Sequence, residues 1–227
     1  MSRRPAKSLA HLRRPGPRRP PPRRPPGSKR LANEARILQA AEAVFATAGF
    51  AGARTAAIAQ RAGVPKANLH YYFGTKEALY RRLLENILEV WLGMGDSIRP
   101  EADPAQAFAA YIAAKVEHSR RRPYASKVFA NELLHGAPRL RSYLRHALRR
   151  WVAAKAKVIE GWVAAGRMAP VETRHLFFVI WAMTQTYADF DVQVAAVLGR
   201  KRLIARDYQA ATALVTRLVL RGAGLQG

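Results

Sequence analysis

Apolar residues recur at intervals of three and four along most of the chain, which is the spacing of the buried stripe of an α-helix. Between about residues 31 and 48 the stripe comprises Ile37, Ala40, Ala41, Val44, Phe45 and Ala48, and Gly49 is expected to end this helix. Similar stripes, separated by glycine and proline, predict helices at about 76–98, 104–120, 124–134, 138–165, 171–189 and 204–221. No stretch alternates as a strand would. With two short helices described next, we predict an all-α fold of about nine helices.

The stretch 54–76, RTAAIAQRAGVPKANLHYYFGTK, predicts two short helices joined by a tight turn. The first, at about 56–62, follows Thr55, whose hydroxyl can cap the backbone donors of the first turn. Gly63 can adopt the left-handed conformation that ends a helix. Pro65 suits the first turn of the second helix, which is expected to run to Tyr72. This arrangement predicts a helix-turn-helix whose second helix is exposed.

The second helix has the composition of a DNA-reading surface. Leu69 and Phe73 lie four residues apart and can face inward. The residues left on the open side are Lys66, Ala67, Asn68, His70, Tyr71 and Tyr72. In a major groove, lysine can reach guanine or phosphate, asparagine can pair with adenine, and alanine can contact a thymine methyl group. The histidine and the two tyrosines can donate to phosphate oxygens. We therefore expect this helix to bind DNA.

Residues on either side extend the predicted DNA-binding set. Arg54 and Thr55 precede the first helix, and Thr75 can cap the helix that follows the second. That cap would place Lys76 in a first helical turn, which already attracts phosphate. The alternative is an ordinary helical hairpin whose lysines are merely solvated.

At these residues the chain resembles the TetR family of one-component repressors. The matching residues are Thr55, Ala62-Gly63-Val64, Leu69-His70-Tyr71-Tyr72-Phe73 and Lys76-Glu77-Ala78-Leu79. The chain departs from the family at His70, where tyrosine is common. The resemblance implies an all-helical regulator that binds a palindromic operator as a dimer.

The charge of the chain favours a polyanionic partner. The formal net charge is +24, of which residues 1–30 contribute eleven Lys and Arg and no acids. Those residues also contain eight prolines, so we expect a disordered tail that follows DNA phosphates. A merely solvated tail, or one that is not translated in the cell, is the alternative. We expect domains at 31–76, for DNA binding, and at 77–227, for ligand binding and dimerisation.

Composition also excludes several classes of protein. The chain has no cysteine, which excludes disulfides, thiol catalysis and cysteine zinc sites. The longest strongly apolar stretch, residues 176–183, is too short to span a bilayer, and the N-terminus lacks the apolar core of a secretory signal. We find no phosphate loop, nucleophile elbow or zinc-type histidine pair. We therefore expect a cytoplasmic protein that is not an enzyme and needs no cofactor or metal.

The segment HLFFVIWAMTQTYADF, residues 175–190, brings polar groups into an otherwise apolar helix. Trp181 and Gln185 lie one turn apart and share a face. An indole can stack on a flat ring, and a carboxamide can pair with an imide edge of alternating carbonyl and N–H groups. This pair suits a pyrimidine such as uracil. From the residues alone, a core tryptophan and a glutamine that bonds across a subunit interface remain the alternative.

This part of the chain is similar to the RutR-type subgroup of the TetR family, which senses pyrimidines and controls pyrimidine catabolism. The similar motifs are Val90-Trp91-Leu92, Glu132-Leu133-Leu134, Gly136-Ala137-Pro138, Gly161-Trp162-Val163, Trp181-Ala182 and Tyr187-Ala188-Asp189-Phe190. The resemblance implies uracil or thymine as effector and Trp181 and Gln185 as contacts, with Trp91, Phe129 and Glu132 as further pocket candidates.

Dimerisation is expected to use the last two long helices. Their apolar residues exceed what one layer should leave exposed: Phe177, Val179, Ile180 and Met183 on one helix, and Leu214, Val215, Leu218 and Val219 on the other. A twofold dimer would place two reading helices on successive turns of the major groove.

Two alternatives for the function remain: a TetR-type repressor with another small effector, and an architectural DNA binder dominated by its tail.

Overall fold

The computed structural model describes residues 27–226, which fold into ten helices with no strand. The prediction of an all-α fold of about nine helices is therefore confirmed. The expected tail lies outside the described residues except for its last four, 27–30. The helices are α1 (Ser28–Gly52), α2 (Thr55–Ala62), α3 (Lys66–Phe73), α4 (Lys76–Gly93), α5 (Pro104–Arg121), α6 (Pro123–Leu134), α7 (Arg141–Tyr143, Leu144–Leu148 and Arg149–Ala164), α8 (Thr173–Asp189), α9 (Asp191–Val197) and α10 (Ala205–Gly222).

The turns around α2 and α3 follow the sequence closely. Gly63 has the left-handed conformation (φ 63°, ψ 38°) that was predicted to end α2. The Thr75 hydroxyl accepts from the Ala78 N–H at 3.0 Å, which confirms its role as the cap of α4. The predicted cap at Thr55 is wrong, because Thr55 is itself the first residue of α2 and Arg54 occupies the cap position without a side-chain hydrogen bond.

Gly49 breaks the helix as predicted, with φ 65° and ψ 176°, and a short helical segment continues to Gly52 beyond this kink. Three other features differ from the prediction. Helix α4 ends at Gly93, where a 3₁₀ turn (Met94–Ser97) replaces the last predicted turn. The short helix α9 was not predicted. Helix α7 was predicted as regular, yet it contains the π turn Leu144–Leu148, whose wider hydrogen bonding preserves the helix direction.

The helices pack around two apolar cores. The first contains the buried faces of α1, α2, α3, α4 and α6, with Ile37, Phe45, Ile58, Leu69, Leu79 and Leu83 among its buried residues. The second contains α5, α7, α8 and α10, with Phe108, Tyr111, Trp162, Phe177 and Val215. Helix α4 extends from the first core to the border of the second, and Trp91 lies there. Within residues 27–226 no helix is long and apolar enough to cross a membrane.

A buried ion pair joins the first core to the corner between α5 and α6. Glu42 of α1 is only 5% exposed, and both of its carboxylate oxygens accept from the guanidinium of Arg122. The same guanidinium donates to Asn86 Oδ1 of α4 at 3.3 Å. One arginine therefore connects α1 and α4 to the start of α6.

We expect Glu42→Ala to lower the free energy of unfolding by about 3 kcal/mol, because it leaves the Arg122 guanidinium half-buried without its carboxylate. Urea unfolding followed by circular dichroism measures this change. The matched control is Glu117→Ala, which removes a carboxylate paired with Arg120 and Arg121 on the exposed surface of α5. A loss in the control as large as that in Glu42→Ala would contradict the assignment.

Candidate nucleic-acid surface and ligand cavity

Helix α3 presents most of the predicted DNA-binding residues on one open face. Lys66, Ala67, His70 and Tyr71 are exposed, and Tyr71 reaches 74%. Leu69, on the opposite face, is completely buried, which fixes the rotation of the helix. Asn68 and Tyr72, also in the predicted set, are half-buried. The sequence therefore folds so that its polar and aromatic groups face outward together.

The first turns of α1 contribute to this surface. The Arg30 guanidinium lies 5.9 Å from the Tyr71 ring centroid and 6.0 Å from that of Tyr72, within reach of a cation–π contact. Asn33 Nδ2 donates to the Tyr72 hydroxyl at 3.2 Å, which orients this ring. Neither Arg30 nor Asn33 is in the DNA-binding set predicted from sequence. The sequence signal for Arg30 was its position at the beginning of the helix that packs behind the DNA-binding helices.

Three other members of the predicted set differ in their surroundings. Arg54 is exposed and Thr55 half-buried at the beginning of α2. The ammonium of Lys76 donates to the carbonyl oxygens of Phe50 (2.9 Å), Ala51 (3.3 Å) and Ala53 (3.1 Å). Lys76 thereby satisfies carbonyl groups at the end of α1, a structural role. Its contact with DNA stays a prediction.

A cavity of about 240 Å³ lies where α4, α5, α6, α7 and α8 meet. Its walls are five aromatic residues, five leucines and two polar residues: Trp91, Tyr111, Phe129, Trp151, Trp181, Leu88, Leu92, Leu133, Leu144, Leu148, Lys115 and Gln185. Four of the five predicted ligand-binding residues, Trp181, Gln185, Trp91 and Phe129, are brought together here. The size is small for a ligand pocket and suits a single ring better than a long chain.

Glu132, the fifth predicted ligand-binding residue, does not line the cavity. It is buried, and its carboxylate accepts from the Arg139 backbone N–H at 2.7 Å. The Arg139 side chain donates to Glu77 Oε1 at 2.8 Å and lies 3.7 Å from the Phe50 ring centroid. Glu132 therefore supports a contact of the loop before α7 with α1 and α4, instead of facing a ligand.

The cavity contains a buried lysine that was not predicted from sequence. Lys115 is 4% exposed, and its Nζ lies 4.1 Å from the Trp91 ring centroid. Burial lowers the pKa of Lys115 to about 7, and the nearby Asp189 opposes this shift. A lysine at helical spacing in α5 gave no sign that it points inward, because long basic side chains usually lie on the surface.

Other polar groups in the cavity are only partly satisfied. The Trp181 indole N–H donates to the Tyr111 hydroxyl at 2.7 Å, and burial raises the pKa of Tyr111 to about 12. The Trp91 indole nitrogen is buried and has no hydrogen-bond partner among residues 27–226. Buried donors are normally paired, so the Trp91 N–H is available to an acceptor atom of a bound molecule. The site can bind a ring through its aromatic walls and orient it through a few polar groups.

Sequence comparison relates both parts of the chain to known regulators. Residues 37–83 match the family described as bacterial regulatory proteins, tetR family, and residues 84–226 match the YcdC-like protein, C-terminal region. The HTH-type transcriptional regulator RutR of Escherichia coli K12 is 46% identical over 168 residues, which are 74% of this chain and 79% of RutR. The HTH-type transcriptional repressor NicS of Pseudomonas putida is 35% identical over 100 residues, 44% of this chain and 47% of NicS.

Solved structures share the fold. The TetR family regulator PfmR of Thermus thermophilus superposes with a TM-score of 0.65 at 20% identity, covering 82% of this chain and 97% of PfmR. The ketosteroid transcriptional regulator KstR2 of Mycobacterium tuberculosis gives a TM-score of 0.65 at 20% identity, covering 84% of this chain and 94% of KstR2. At this identity the likeness concerns the arrangement of the helices alone.

The buried lysine predicts a specific pH dependence of stability. The folded pKa of Lys115, about 7, lies below its ordinary value of 10.5, so between these values the unfolded chain binds more protons than the folded one. The contribution of Lys115 to the unfolding free energy therefore rises with pH over this window, by up to about 1.4 kcal/mol per pH unit. Urea unfolding from pH 6 to 10 should show this rise in the wild type and its loss in Lys115→Met.

The other groups near Lys115 act elsewhere on the pH scale. Burial, Arg122 and Lys115 lower the pKa of His118 to about 4 from 6.5, so its effect falls below this window. Burial raises the pKa of Asp189, where Ser126 and Lys115 oppose the shift. The raised pKa of Tyr111 acts only above about pH 10. Equal slopes for both proteins between pH 7 and 10 would contradict the prediction.

Proposed function

The chain belongs to the TetR family of transcription regulators, and on this premise we propose that it is a ligand-gated repressor whose effector is a pyrimidine base such as uracil or thymine. The observation that carries the proposal is that Trp181 and Gln185 line one small aromatic cavity, together with Trp91 and Phe129. The similarity to RutR supports the same effector class. Control of pyrimidine catabolism is the corresponding physiological role.

The DNA-binding half of the proposal uses the exposed face of α3. Lys66, Ala67, Asn68 and His70 would approach base edges and nearby phosphates, with Tyr71 and Tyr72 on the sugar-phosphate backbone. His70 Nδ1 lies 2.9 Å from the Gly74 carbonyl oxygen and donates to it, which leaves Nε2 directed away from this bond. Arg30, in contact with both tyrosines, adds a positive charge at the same edge.

The effector half uses two side chains of α8 that line the cavity. The indole of Trp181 would cover one face of a planar ring, and the Gln185 carboxamide would pair with an imide edge through one acceptor and two donors. Both side chains are half-buried and extend from α8 one turn apart. A cavity of about 240 Å³ has room for one such ring and little else, which favours a free base over a nucleotide.

In the proposed gate, ligand binding changes the positions of the two helix-turn-helix motifs of the dimer. Helix α4 begins beside the helix-turn-helix and places Trp91 of its last turn at the cavity, and Arg139 links the loop before α7 to Glu77 and Phe50. A ligand that binds one arrangement of these helices more tightly shifts the population toward it. Repression is relieved if that arrangement separates the two heads by a distance that does not match the operator.

Dimerisation would use the outer faces of α8 and α10. Val179, Leu214 and Leu218 are 51%, 42% and 52% exposed, as is Phe178 of α8 at 51%. Phe177, Ile180, Val215 and Val219, which the sequence also suggested for this interface, are instead buried in the second core. These residues expose more apolar surface than is usual on a pair of helices that faces water.

The effector proposal predicts that Gln185→Ala loses the response to pyrimidines and still binds the operator. Thermal unfolding of the wild type with excess uracil should show a rise in midpoint, corresponding to about 2.7 kcal/mol at a hundredfold excess over Kd. The variant should show no rise. Electrophoretic mobility shifts with the operator measure DNA binding in parallel, and release of DNA by uracil in the variant would remove Gln185 from the site.

The dimer proposal predicts that Leu214→Glu combined with Leu218→Glu yields a monomer, because four carboxylates would meet across a twofold interface. Light scattering after size-exclusion chromatography measures the mass. The matched control is Leu134→Glu, at a leucine that is 84% exposed at the end of α6. A dimer that survives in the double variant would exclude this face.

A further inference from the structure

We infer that Lys115 makes the cavity selective for a planar one-ring ligand that carries an anionic oxygen, which its ammonium binds directly. The inference rests on the proposed function in one respect, namely that the cavity is the effector site. It adds the charge of the ligand, which neither the aromatic walls nor Gln185 determines.

The first step is that Lys115 is buried at the wall of the cavity. The residue is 4% exposed, and its side chain is one of the two polar groups that line the cavity, the other being Gln185. The contact it has is with the face of the Trp91 ring, at 4.1 Å. Buried charges in proteins are normally paired or bind a ligand, since an isolated ion is strongly destabilised away from water. A lysine buried at a cavity wall, over an aromatic ring, is therefore placed to bind an acceptor that a bound molecule supplies.

The second step is that the surrounding groups do not neutralise this charge. Asp189 of α8 attracts Lys115 electrostatically but forms no hydrogen bond with it, and Asp189 Oδ1 has no partner among the described residues. Burial raises the pKa of the Asp189 carboxyl, and Ser126, Lys115 and Lys127 oppose this shift. His118, on the same helix as Lys115, is neutral at neutral pH because its pKa is lowered to about 4, and Arg122 is paired with Glu42. Among the described residues that line the cavity, Lys115 is therefore the one side chain that can carry a charge at neutral pH.

The third step concerns the shape of the ligand. Trp91 and Phe129 stand edge to face, with ring centroids 4.6 Å apart, and Trp181 lies on another wall of the same cavity. Walls of this kind bind a flat ring. The unpartnered Trp91 indole N–H gives a second donor in the same part of the site. Two donors, one of them charged, favour an oxygen with high negative charge over a neutral carbonyl.

Two kinds of one-ring molecule have this chemistry. One is a pyrimidine whose imide has lost its proton, and the other is an aromatic carboxylate. Both present an anionic oxygen at the edge of a planar ring, so Lys115 would bind either in the same way. Their other edges differ, because only the pyrimidine offers the alternating carbonyl and N–H groups that Gln185 can pair with.

The test is isothermal titration calorimetry of the full chain with two pairs of probes. The first pair is 5-nitrouracil, which is ionised at neutral pH, and uracil, which is neutral. The second pair is benzoate and the neutral benzamide. We expect at least one anion to bind about tenfold or more tightly than its neutral counterpart, the range expected for a hydrogen bond to a charged group. The preferred pair identifies the source of the anionic oxygen.

Lys115→Met should lower the affinity for the preferred anion about tenfold to a hundredfold and leave that of the neutral probe within about threefold. Methionine keeps the unbranched side chain up to the ε position and removes the charged amino group. The matched control is Lys157→Met, at an exposed lysine of α7, which should bind the anion as the wild type does. Proton uptake on binding, measured in buffers of different ionisation enthalpy, should accompany the anion in the wild type, because the anion favours the protonated lysine.

Three results would overturn the inference: equal affinity for anion and neutral probe, full anion affinity in Lys115→Met, or no binding by any of the four probes. Failure of the pyrimidine proposal looks different. If benzoate binds through Lys115 and both pyrimidines fail, the inference stands and the effector class changes. If uracil binds equally well to the wild type and to Lys115→Met but not to Gln185→Ala, the pyrimidine proposal stands and the inference fails.

Discussion

The rest of the structure depends on the packing of α4, which contributes buried residues to the first core and to the wall of the cavity. Its residues from Leu79 to Leu88 complete the first core, and Trp91, one turn later, forms a wall of the cavity. An 18-residue helix is a rod of about 27 Å. Helix α4 therefore connects the wall of the cavity to the core on which the helix-turn-helix is packed. The proposed gate depends on this shared element.

The sequence predicted those parts of the fold that local chemistry determines. Gly63 and Thr75 have short-range roles as helix stop and cap, and both are found where expected. Gly49 breaks the helix where expected, but the sequence did not predict the short helical segment beyond this kink, where Lys76 of α4 donates to the Phe50 carbonyl oxygen. Periodicity could not distinguish a π turn from a regular one. Long-range packing decides both features.

The cavity shows the same division. Trp181 and Gln185 are neighbours on one helix, so their shared face could be predicted from spacing alone. Lys115 and Glu132 depend on which way α5 and α6 face, and this is settled by distant partners: Trp91 for the lysine, and Arg139 for the glutamate. Sequence reasoning predicts that a charged residue in a helix is exposed to solvent, unless the residues that pack against it are known. The least predictable residues are thus the charged ones that are buried.

The π turn at Leu144–Leu148 has a consequence for how this cavity can change shape. Its first and last residues, Leu144 and Leu148, both contribute to the walls, while α7 and the loop before it extend from Arg139 beside Glu77 to Trp151 near Leu92. A π turn holds one residue more than an α turn, and each residue turns an α-helix by about 100°. The π turn takes up its extra residue within one turn, so loss of that residue would give a regular helix whose flanks keep Arg139 beside Glu77 and Trp151 beside Leu92. A single-codon deletion would therefore remodel one wall of the binding site while leaving its connection to the DNA-binding region in place.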